Sequence, residues 1–296
     1  EHGETVDEIL GHASTALERA GAEGDGSVRW AALGGTRQLR QQLDMHEAMR
    51  RAIADEQIEV WFQPVVDVSG DMRTSHVESL MRLRVDGQVI PVPYEMMEFL
   101  LASPDMLLPA SERFFSMACE SVLGARSIAP DLSLAFNLSA SELREEHLDR
   151  LIEIIERSDL PAGALTLEIT ERAALQAIDR LAPKLGLLRA QGARVVLDDF
   201  GTGYSSLSHL VQLPLDGIKI DRVFVQPLGV DEKANEIVAA TIALARALNL
   251  EVIAEGVETP AQRDHLISLG CHLHQGFLYS KAMSPADLGT WLARNG

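Results

Sequence analysis

The chain has 296 residues, of which 46% are hydrophobic and 24% are charged, as in an ordinary globular protein. Its length suits one large α/β domain or two smaller ones. The formal net charge of -18 at pH 7 argues against non-specific binding to nucleic acid, because phosphates would meet a negative field. An anionic ligand can still bind where metal cations reverse the local sign.

The N-terminal region differs from the rest of the chain. Residues 1–36 hold one helical pattern, whose apolar stripe includes Val6, Leu10 and Leu17, followed by one strand pattern, SVRWAA. One helix and one strand cannot bury a core alone, so we expect this segment to pack on the main domain or on a neighbour. Residues 37–56 predict a linker helix that leads into a main domain over 57–296.

The sequence contains no recognisable signal peptide, cysteine motif or membrane-spanning segment. The chain begins EHGETVDE, which is not a signal peptide and has no initiator Met, so we expect it to be cut from a longer protein. Cys119 and Cys271 lie far apart without a CxxC spacing, which predicts two buried thiols. No run of about 18 apolar residues occurs, and we therefore expect no membrane span.

From residue 59 onward, short apolar runs alternate with amphipathic helical patterns. Eight runs predict strands, at 59–66, 76–83, 132–139, 165–170, 194–200, 217–221, 251–257 and 272–278. Helical patterns lie at 109–126, 140–158, 171–191, 203–212, 232–249, 259–269 and 284–294. Strands that alternate with helices indicate a mostly parallel sheet, and eight such units over about 250 residues predict a (β/α)8 TIM-type barrel.

The link between the first two predicted strands is too short for a parallel crossover. Only DVSGDMRTS joins them, whereas a parallel connection needs about a dozen or more residues and usually contains a helix. The sequence therefore predicts an α/β fold in which the first strand of the barrel is antiparallel, preceded by a short helical and strand segment.

Polar residues interrupt the predicted strands at similar positions. They are Glu78, Asn137, Glu168, Asp198, Asp199, Lys219, Glu255 and Gln275. Catalytic residues of barrels come from the carboxyl ends of the strands, and most of these positions lie there. Converging carboxylates need a compensating charge, and oxygen ligands favour Mg²⁺ or Mn²⁺. Each acid alone could be a surface or capping residue, but five acids in apolar strands of one barrel favour a shared site.

The sequence motifs around these residues point to one family. Glu78-Ser79-Leu80 is joined by WFQPVV (61–66), FNLSA (136–140), LEITE (167–171), LDDFGTGYSSL (197–207), IKIDRVFV (218–225), IAEGVET (253–259) and HQGFLYSKAM (274–283). Over about residues 40–296 the chain resembles EAL-domain cyclic di-GMP phosphodiesterases, with Ser79 in place of the Ala of the naming motif. The family fold is a barrel with an antiparallel first strand.

The resemblance implies the hydrolysis of one phosphodiester of cyclic di-GMP to linear 5'-pGpG, with two Mg²⁺ or Mn²⁺ ions. The implied metal ligands are Glu78, Asn137, Glu168, Asp198 and Asp199. The implied catalytic residues are Lys219, Glu255 and Asp199. The implied substrate contacts are Gln63, Arg82, Asp221 and Gln275, and Glu171 would hold the loop FGTGYSS in place.

The implied role of Lys219 is to position or deprotonate the attacking water. A lysine base needs a depressed pKa, which nearby metal cations and burial would supply. The neighbouring carboxylate of Asp221 would act against this shift.

The resemblance also carries expectations about partners and location. Residues 1–36 resemble the C-terminal end of a GGDEF (diguanylate cyclase-like) domain, so the parent protein would be a GGDEF–EAL tandem with further sensor domains. The family implies a homodimer through the barrel. It also implies a cytoplasmic location, because cyclic di-GMP is a cytoplasmic bacterial messenger.

The alternative to an active enzyme is a catalytically inactive EAL domain that acts as a cyclic di-GMP receptor or a protein-interaction module. Inactive members typically lose a metal carboxylate, the lysine or the loop motif, and this chain keeps all of them. The segment 93–105 departs from the family pattern, and Ala282 replaces a frequent Pro, so ligand contacts there stay open. Another metal-dependent barrel enzyme would require coincidental motif matches.

Overall fold

The computed structural model describes residues 47, 49–53, 57–85, 87–143, 145–176, 178–201 and 207–296. The segment predicted as a GGDEF remnant, most of the linker helix and residues 202–206 of the glycine-rich loop lie outside these described residues. Of the predicted linker helix, residues 47 and 49–53 are described, and they are helical.

Nine strands form one sheet that closes on itself. They are β1 (Ile58–Asp67), β2 (Arg73–Val85), β3 (Gln88–Pro91), β4 (Ser133–Leu138), β5 (Leu165–Thr170), β6 (Arg194–Phe200), β7 (Gly217–Ile220), β8 (Glu251–Ala254) and β9 (Leu273–Gln275). Strands β4 to β9 lie side by side in parallel, and β2 pairs in parallel with β4. Strand β1 closes the barrel because it pairs antiparallel with both β2 and β9. The predicted barrel with a reversed first strand is confirmed.

Strand β3 is the extra element of this sheet, and it was not among the predicted strands. It forms an antiparallel hairpin with the end of β2, in which Val85 pairs with Gln88. Four residues with no alternating apolar pattern give little periodic signal, so sequence periodicity did not mark β3 as a strand.

Helices surround the barrel between the strands. They are α1 (Tyr94–Ala102), α2 (Pro104–Ala125), α3 (Glu145–Arg157), α4 (Glu171–Gln176), α5 (Ile178–Ala190), α6 (Leu207–Gln212), α7 (Arg222–Val225), α8 (Glu232–Ala247), α9 (Pro260–Leu269) and α10 (Pro285–Asn295). Local sequence sets several boundaries. In α9, Thr259 and Gln262 form a reciprocal capping box, and Gly270 ends the helix in the left-handed conformation.

The alternation of side chains along each strand separates an apolar outer face from a mixed interior. In β5, the outward residues Leu167 and Ile169 are fully buried beneath the helices, while Glu168 faces the barrel interior. On the outer side, Phe136 of β4 packs edge-on against Phe115 of α2, with 5.0 Å between ring centroids. The helical layer therefore supplies the main hydrophobic core.

The barrel interior is built in layers. Val65, Val196, Ile253 and Leu273 form one apolar cluster inside it. Because side chains on one face recur every second residue, the next inward positions above this cluster are the following polar residues. They are Gln63 on β1, Asp198 on β6, Glu255 after β8 and Gln275 on β9. The polar site thus rests on an apolar floor.

Two further expectations concern the cysteines and the membrane. Cys119 and Cys271 are buried free thiols, as predicted. In the part of the chain that the structure describes, no helix combines the length and apolar character required to cross a membrane.

Ser79, the residue that departs from the family motif, links two strands of the barrel. Its side chain points away from the face that carries Glu78, and its hydroxyl donates to the carbonyl oxygen of Ala135 at 3.0 Å. Ser79 is 2% exposed, so water does not compete for this bond. The bond adds a side-chain connection between β2 and β4, which carry Glu78 and Asn137.

We expect Ser79→Ala to lower the free energy of unfolding by about 1 kcal/mol, because a buried hydrogen bond is lost. Urea denaturation measures the change. Ser268→Ala, at an exposed position of α9, is the matched control and should change stability by no more than about 0.5 kcal/mol. Equal stabilities for Ser79→Ala and the wild type would show that the hydroxyl does not bind the two strands together.

Candidate active site

Lys219 on β7 is the centre of the polar interior. Its side chain is fully buried, and its Nζ lies 2.8 Å from Glu168 Oε2 and 2.6 Å from Glu255 Oε1. Glu78 Oε2 lies 3.5 Å from the same nitrogen, and Asp198 Oδ1 lies 3.6 Å from it. Four carboxylates from four different positions around the barrel therefore surround one ammonium group.

Glu78 on β2 is held by two amide side chains. Asn137 Nδ2 donates to Glu78 Oε1 at 2.6 Å, and Gln275 Nε2 donates to Glu78 Oε2 at 2.6 Å. The amide of Asn137 donates from nitrogen, so its oxygen is the atom that it could offer to a cation. Gln275, predicted beside a substrate phosphate, instead has its amide nitrogen directed to Glu78.

The backbone after Gln275 fixes the approach of this strand to its neighbour. A Cβ atom on Gly276 would lie 2.1 Å from the carbonyl oxygen of Val257 and 2.3 Å from its nitrogen. Only glycine fits this contact. The close approach brings the end of β9 against the loop that carries Glu255.

Asp198 and Asp199 directly precede Phe200, the last residue of β6. The backbone N–H of Asp199 donates to Asp198 Oδ1 at 2.9 Å, and Asp199 itself has a positive φ of 55°. This left-handed conformation is unusual for a residue other than glycine and breaks the alternation of the strand. One carboxylate oxygen each from Asp198, Asp199 and Glu255 lies within 4.8 Å of the others.

The donor set fits divalent cations. The five carboxylates of Glu78, Glu168, Asp198, Asp199 and Glu255 face one ammonium group, so negative charge is in excess. Buried Glu168 Oε1 and Gln275 Oε1 have no hydrogen-bond partner among the described residues. Oxygen-only ligands of this kind suit hard cations such as Mg²⁺ and Mn²⁺.

The carboxylates around Lys219 determine the direction of its pKa shift in the metal-free structure. Burial lowers the pKa of this lysine, but Glu168, Glu78 and the other carboxylates more than reverse that effect and raise it well above its ordinary value. In the absence of metal cations the carboxylates therefore stabilise the ammonium form, whereas the predicted depression of the lysine pKa depends on bound metal cations and stays a prediction.

The pKa values of the acids around Lys219 are shifted in different directions. Burial raises the pKa of Glu78, but Lys219 and hydrogen bonds from Gln275 and Asn137 outweigh it and hold the value below the ordinary one. Glu168, which is fully buried beside other acids, has its pKa raised well above the ordinary value, chiefly by burial.

The acids nearer the cavity are shifted upwards. Burial, with repulsion from Asp198 and a hydrogen bond to Asp221, raises the pKa of Asp199 to about 6. Burial, with repulsion from Asp198 and Glu78, raises the pKa of Glu255 to about 7 despite its contact with Lys219. Burial likewise raises the pKa of Asp198. In all three acids burial is the largest cause, and repulsion from neighbouring acids adds to it.

A cavity of about 610 Å³ opens above the polar layer. It is lined by Gln63, Glu78, Asn137, Thr170, Asp198, Asp199, Asp221, Arg222, Glu255, Gly256, Glu258, Gln275, Gly276 and Phe277. Most predicted site residues therefore meet at one cavity, with Lys219 and Glu168 directly behind its wall.

Only some of the residues predicted to contact the substrate line the cavity. Gln63 lines the cavity and donates to the carbonyl oxygen of Ser280 at 3.1 Å. Asp221 also lines it, while its carboxylate accepts from Val223 N–H at 2.6 Å and caps α7. Arg82 is not among the cavity-lining residues.

The position of Arg82 has a local cause. Its Nη1 donates to the carbonyl oxygen of Met81 at 2.9 Å, and its guanidinium lies 5.8 Å from the ring centroid of Trp61. A contact between Arg82 and a phosphate would require the side chain to turn towards the cavity.

Six cavity-lining residues were not predicted from the sequence, namely Thr170, Arg222, Gly256, Glu258, Gly276 and Phe277. Arg222 follows Asp221 directly, and Phe277 follows Gln275 by two positions. Their positions at or shortly after the ends of predicted strands were the sequence feature that could have identified them as cavity residues. Phe277 lines the cavity and is 60% exposed.

Glu171 contacts the start of the glycine-rich loop, as the resemblance implied. Its Oε2 accepts from the backbone N–H of Gly201 at 3.0 Å, and the residue is 2% exposed. Gly201 has a φ of 96°, a conformation that favours glycine. Loop residues 202–206 lie outside the described residues.

Comparison with known proteins identifies the family of this chain. The model of the family described as "EAL domain" matches residues 46–282. Cyclic di-GMP phosphodiesterase NbdA of Pseudomonas aeruginosa is 35% identical over 98% of this chain, which covers 37% of that protein. Cyclic di-GMP phosphodiesterase PdeR of Escherichia coli is 29% identical over 99% of this chain, which covers 44% of it. The chain thus spans about two fifths of the length of these curated relatives.

Solved structures show the same architecture. The structure described as "PaMucR Phosphodiesterase, c-di-GMP complex" has a TM-score of 0.76 and 34% identity, over 83% of this chain and 99% of that one. The EAL domain of Mycobacterium smegmatis DcpA has a TM-score of 0.67 and 32% identity, over 80% of this chain and 96% of that one.

Glu255 should make the stability of the metal-free chain depend on pH. Its pKa of about 7 in the folded chain exceeds the ordinary value of 4.5, so the folded state binds more protons than the unfolded state between these values. The contribution is fully present below about pH 4.5 and is lost as the pH rises through about 7. Its side chain is 20% exposed, which screens part of the effect and leaves roughly 1–3 kcal/mol.

Chemical denaturation in the presence of EDTA, from pH 4.5 to 8, measures this contribution. The free energy of unfolding of the wild type, minus that of Glu255→Gln, should fall with rising pH and become level above about pH 7. Glu258→Gln, at an exposed position of the same cavity, supplies the reference for a Glu-to-Gln change. A difference that rises with pH would contradict the shift.

Proposed function

The chain belongs to the EAL domain family, and from this membership we propose that its barrel is a metal-dependent phosphodiesterase. It would hydrolyse one phosphodiester of cyclic di-GMP to linear 5'-pGpG. The observation that carries the proposal is the convergence of four carboxylates on Lys219 beneath one cavity, with the carboxylate of Asp199 beside those of Asp198 and Glu255. In the hydrolysis, water oxygen forms a bond to phosphorus, the bond from phosphorus to the 3' oxygen breaks, and that oxygen takes a proton.

Two cations would be held by the acids nearest the cavity. We assign one to Glu78, Asn137, Glu168 and Asp198, and a second to Asp198 and Asp199 with Glu255 close by. The excess of carboxylates over ammonium groups and the unpartnered Oε1 of Glu168 support this assignment. Bound divalent cations would neutralise phosphate charge and lower the pKa of a water molecule.

Lys219 acts in this proposal as a fixed positive charge beneath the cavity. Its ammonium group holds Glu168 and Glu255 in place at 2.8 Å and 2.6 Å. Since its pKa is raised, it stays protonated at neutral pH in this arrangement. It would position the attacking water and its surroundings, which is one of the two roles implied by the resemblance.

Glu255 is the carboxylate best placed to take a proton from the attacking water. It lines the cavity, and one of its carboxylate oxygens lies within 4.8 Å of those of Asp198 and Asp199, where the attacking water would be held. Lys219 touches it from below and would stabilise the ionised form between turnovers.

The cavity wall would bind the nucleotide. Gln63 and Asp221 line it already, while Arg82 would reach a phosphate after leaving Trp61. Arg222 is a further cation in the cavity wall and suits an anionic ligand, because its guanidinium can bind phosphate oxygens in pairs. In a chain of net charge -18, such local cations and bound metals reverse the sign that the ligand meets.

The wider organisation of the protein remains part of the proposal. We propose that residues 1–36 are the end of a GGDEF-like domain, that residues 37–56 link it to the barrel, and that the barrel forms a homodimer in the cytoplasm. Alignment of the relatives over 98% and 99% of this chain supports a shared arrangement that extends before the barrel.

Incubation with cyclic di-GMP and Mg²⁺ or Mn²⁺ should yield pGpG, and EDTA should abolish the product. Glu78→Ala and Lys219→Ala should each lower kcat by about 100-fold or more, because each removes a charge at the reacting centre. Chromatography of the nucleotides measures both effects. Arg84→Ala is the control, since this exposed residue of β2 pairs with Glu59 at the surface.

The outcomes separate the two candidate functions. Binding of cyclic di-GMP without any product, with either metal present, would replace the phosphodiesterase by a receptor. Full turnover in Glu78→Ala or Lys219→Ala would show that the assigned roles are wrong.

Mn²⁺ alone should raise the melting temperature, because an ion that binds only the folded state stabilises it by about 2.7 kcal/mol at a hundred times its Kd. Asp198→Asn should remove most of this rise, since it takes away a shared ligand. Asp149→Asn, which alters a carboxylate paired with Lys184 at the surface, is the matched control. A rise that survives in Asp198→Asn would place the ion elsewhere.

A further inference from the structure

The turn that follows β4 is built around a buried acid that the motifs did not single out. Ser139 and Glu142 form a reciprocal pair, in which the N–H of Ser139 donates to Glu142 Oε2 at 2.8 Å and the N–H of Glu142 donates to Ser139 Oγ at 3.3 Å. The two side chains also contact each other at 2.6 Å. This is the geometry of a capping box, and it fixes the turn against itself.

The same turn is tied to the helices outside the barrel. The hydroxyl of Ser111 on α2 donates to Glu142 Oε1, and Ser141 Oγ donates to the carbonyl oxygen of Leu101 at the end of α1 at 2.8 Å. The turn therefore connects the carboxyl end of β4 with α1 and α2, including the segment that departs from the family pattern.

The burial of Glu142 is unfavourable for the free energy of an ionised carboxylate. The residue is 9% exposed, and the partners described for it are hydroxyl and N–H groups of Ser139 and Ser111. A buried carboxylate with neutral donors costs more to keep than a neutral side chain would. A turn can form without a buried acid. We therefore infer that Glu142 serves to fix the position of this turn.

Asn137 is the residue that needs this precision. Its side chain is exposed, so packing does not hold it in place. The pairing of β4 with β2 ends at Ala135, whereas the pairing with β5 continues to Leu138. At Asn137 the backbone is thus supported by a strand on one side only, and the turn at Ser139 begins two residues later.

We propose that Glu142 is a positioning residue for Asn137: it fixes the free end of β4 so that Asn137 Nδ2 stays 2.6 Å from Glu78 Oε1 and the amide oxygen faces the cation site. The part of this inference that concerns the cation rests on the proposed function. Residues that hold metal ligands in place typically change metal affinity about 10–100-fold when they are replaced.

Glu142→Ala and Glu142→Gln test the proposal together. Glutamine keeps the shape, can accept from the N–H of Ser139 and can donate to Ser111, so it should rescue what alanine loses. The first readout is the side-chain amide signal of Asn137 in a ¹H–¹⁵N spectrum without metal, identified by its absence in Asn137→Asp. This signal should shift or broaden in Glu142→Ala and stay in place in Glu142→Gln.

The second readout is the Kd of Mn²⁺ alone, measured by calorimetry. Glu142→Ala should weaken it about tenfold, and Glu142→Gln should leave it within about threefold. Glu112→Ala is the matched control, because Glu112 follows Ser111 on α2 but pairs with Arg150. If Glu142→Ala does not fold, Ser111→Ala, which removes only the tie to α2, takes its place in both measurements.

The two readouts separate the two ideas. An unmoved Asn137 signal in folded Glu142→Ala overturns the positioning role, whatever the metal affinity. Equal loss in Glu142→Ala and Glu112→Ala also overturns it, since any disturbance of α2 would then suffice. A wild type that neither binds Mn²⁺ nor forms pGpG would refute the proposed function, while the Asn137 signal would still decide the role of Glu142.

Discussion

The buried ammonium group of Lys219 is the interaction on which the site depends. A charge without solvent is costly unless partners surround it, and here the partners are carboxylates of Glu168, Glu255, Glu78 and Asp198. Those acids in turn are tolerable in the interior because the ammonium group is present. One cation does not balance them all, however. Burial, with repulsion between neighbouring acids as a further cause, raises the pKa values of Glu168, Asp198, Asp199 and Glu255.

The barrel makes this concentration of charge possible. Inward side chains from alternate strands stack in layers, so residues far apart in sequence form one polar ring in the interior. The apolar cluster of Val65, Val196, Ile253 and Leu273 closes the interior on one side of that ring. On the other side, the ring opens to a cavity of about 610 Å³. Water and ligands can therefore reach the acids from one direction.

Support for the ring comes from contacts outside it. Ser79 ties β2 to β4 through the carbonyl oxygen of Ala135, and Gly276 lets β9 approach Val257 closely. Glu171 holds Gly201 at the end of β6, and Glu142 holds the turn after β4. None of these residues touches Lys219 through a described contact. Each instead fixes the backbone of a strand that carries a residue of the ring. These contacts therefore affect the position of the side chains in the site.

The sequence by itself determined the strand order of the barrel and the residue types of its interior ring. Alternating apolar runs marked eight strands, and a nine-residue link required the first to be reversed. It did not determine β3, the placement of Arg82 on Trp61, the direction of the pKa shift of Lys219 or the buried position of Glu142. Strand patterns depend on local periodicity, which a linear sequence contains. Charge balance, desolvation and side-chain contacts depend on which residues meet across the barrel, and only the tertiary structure brings them together.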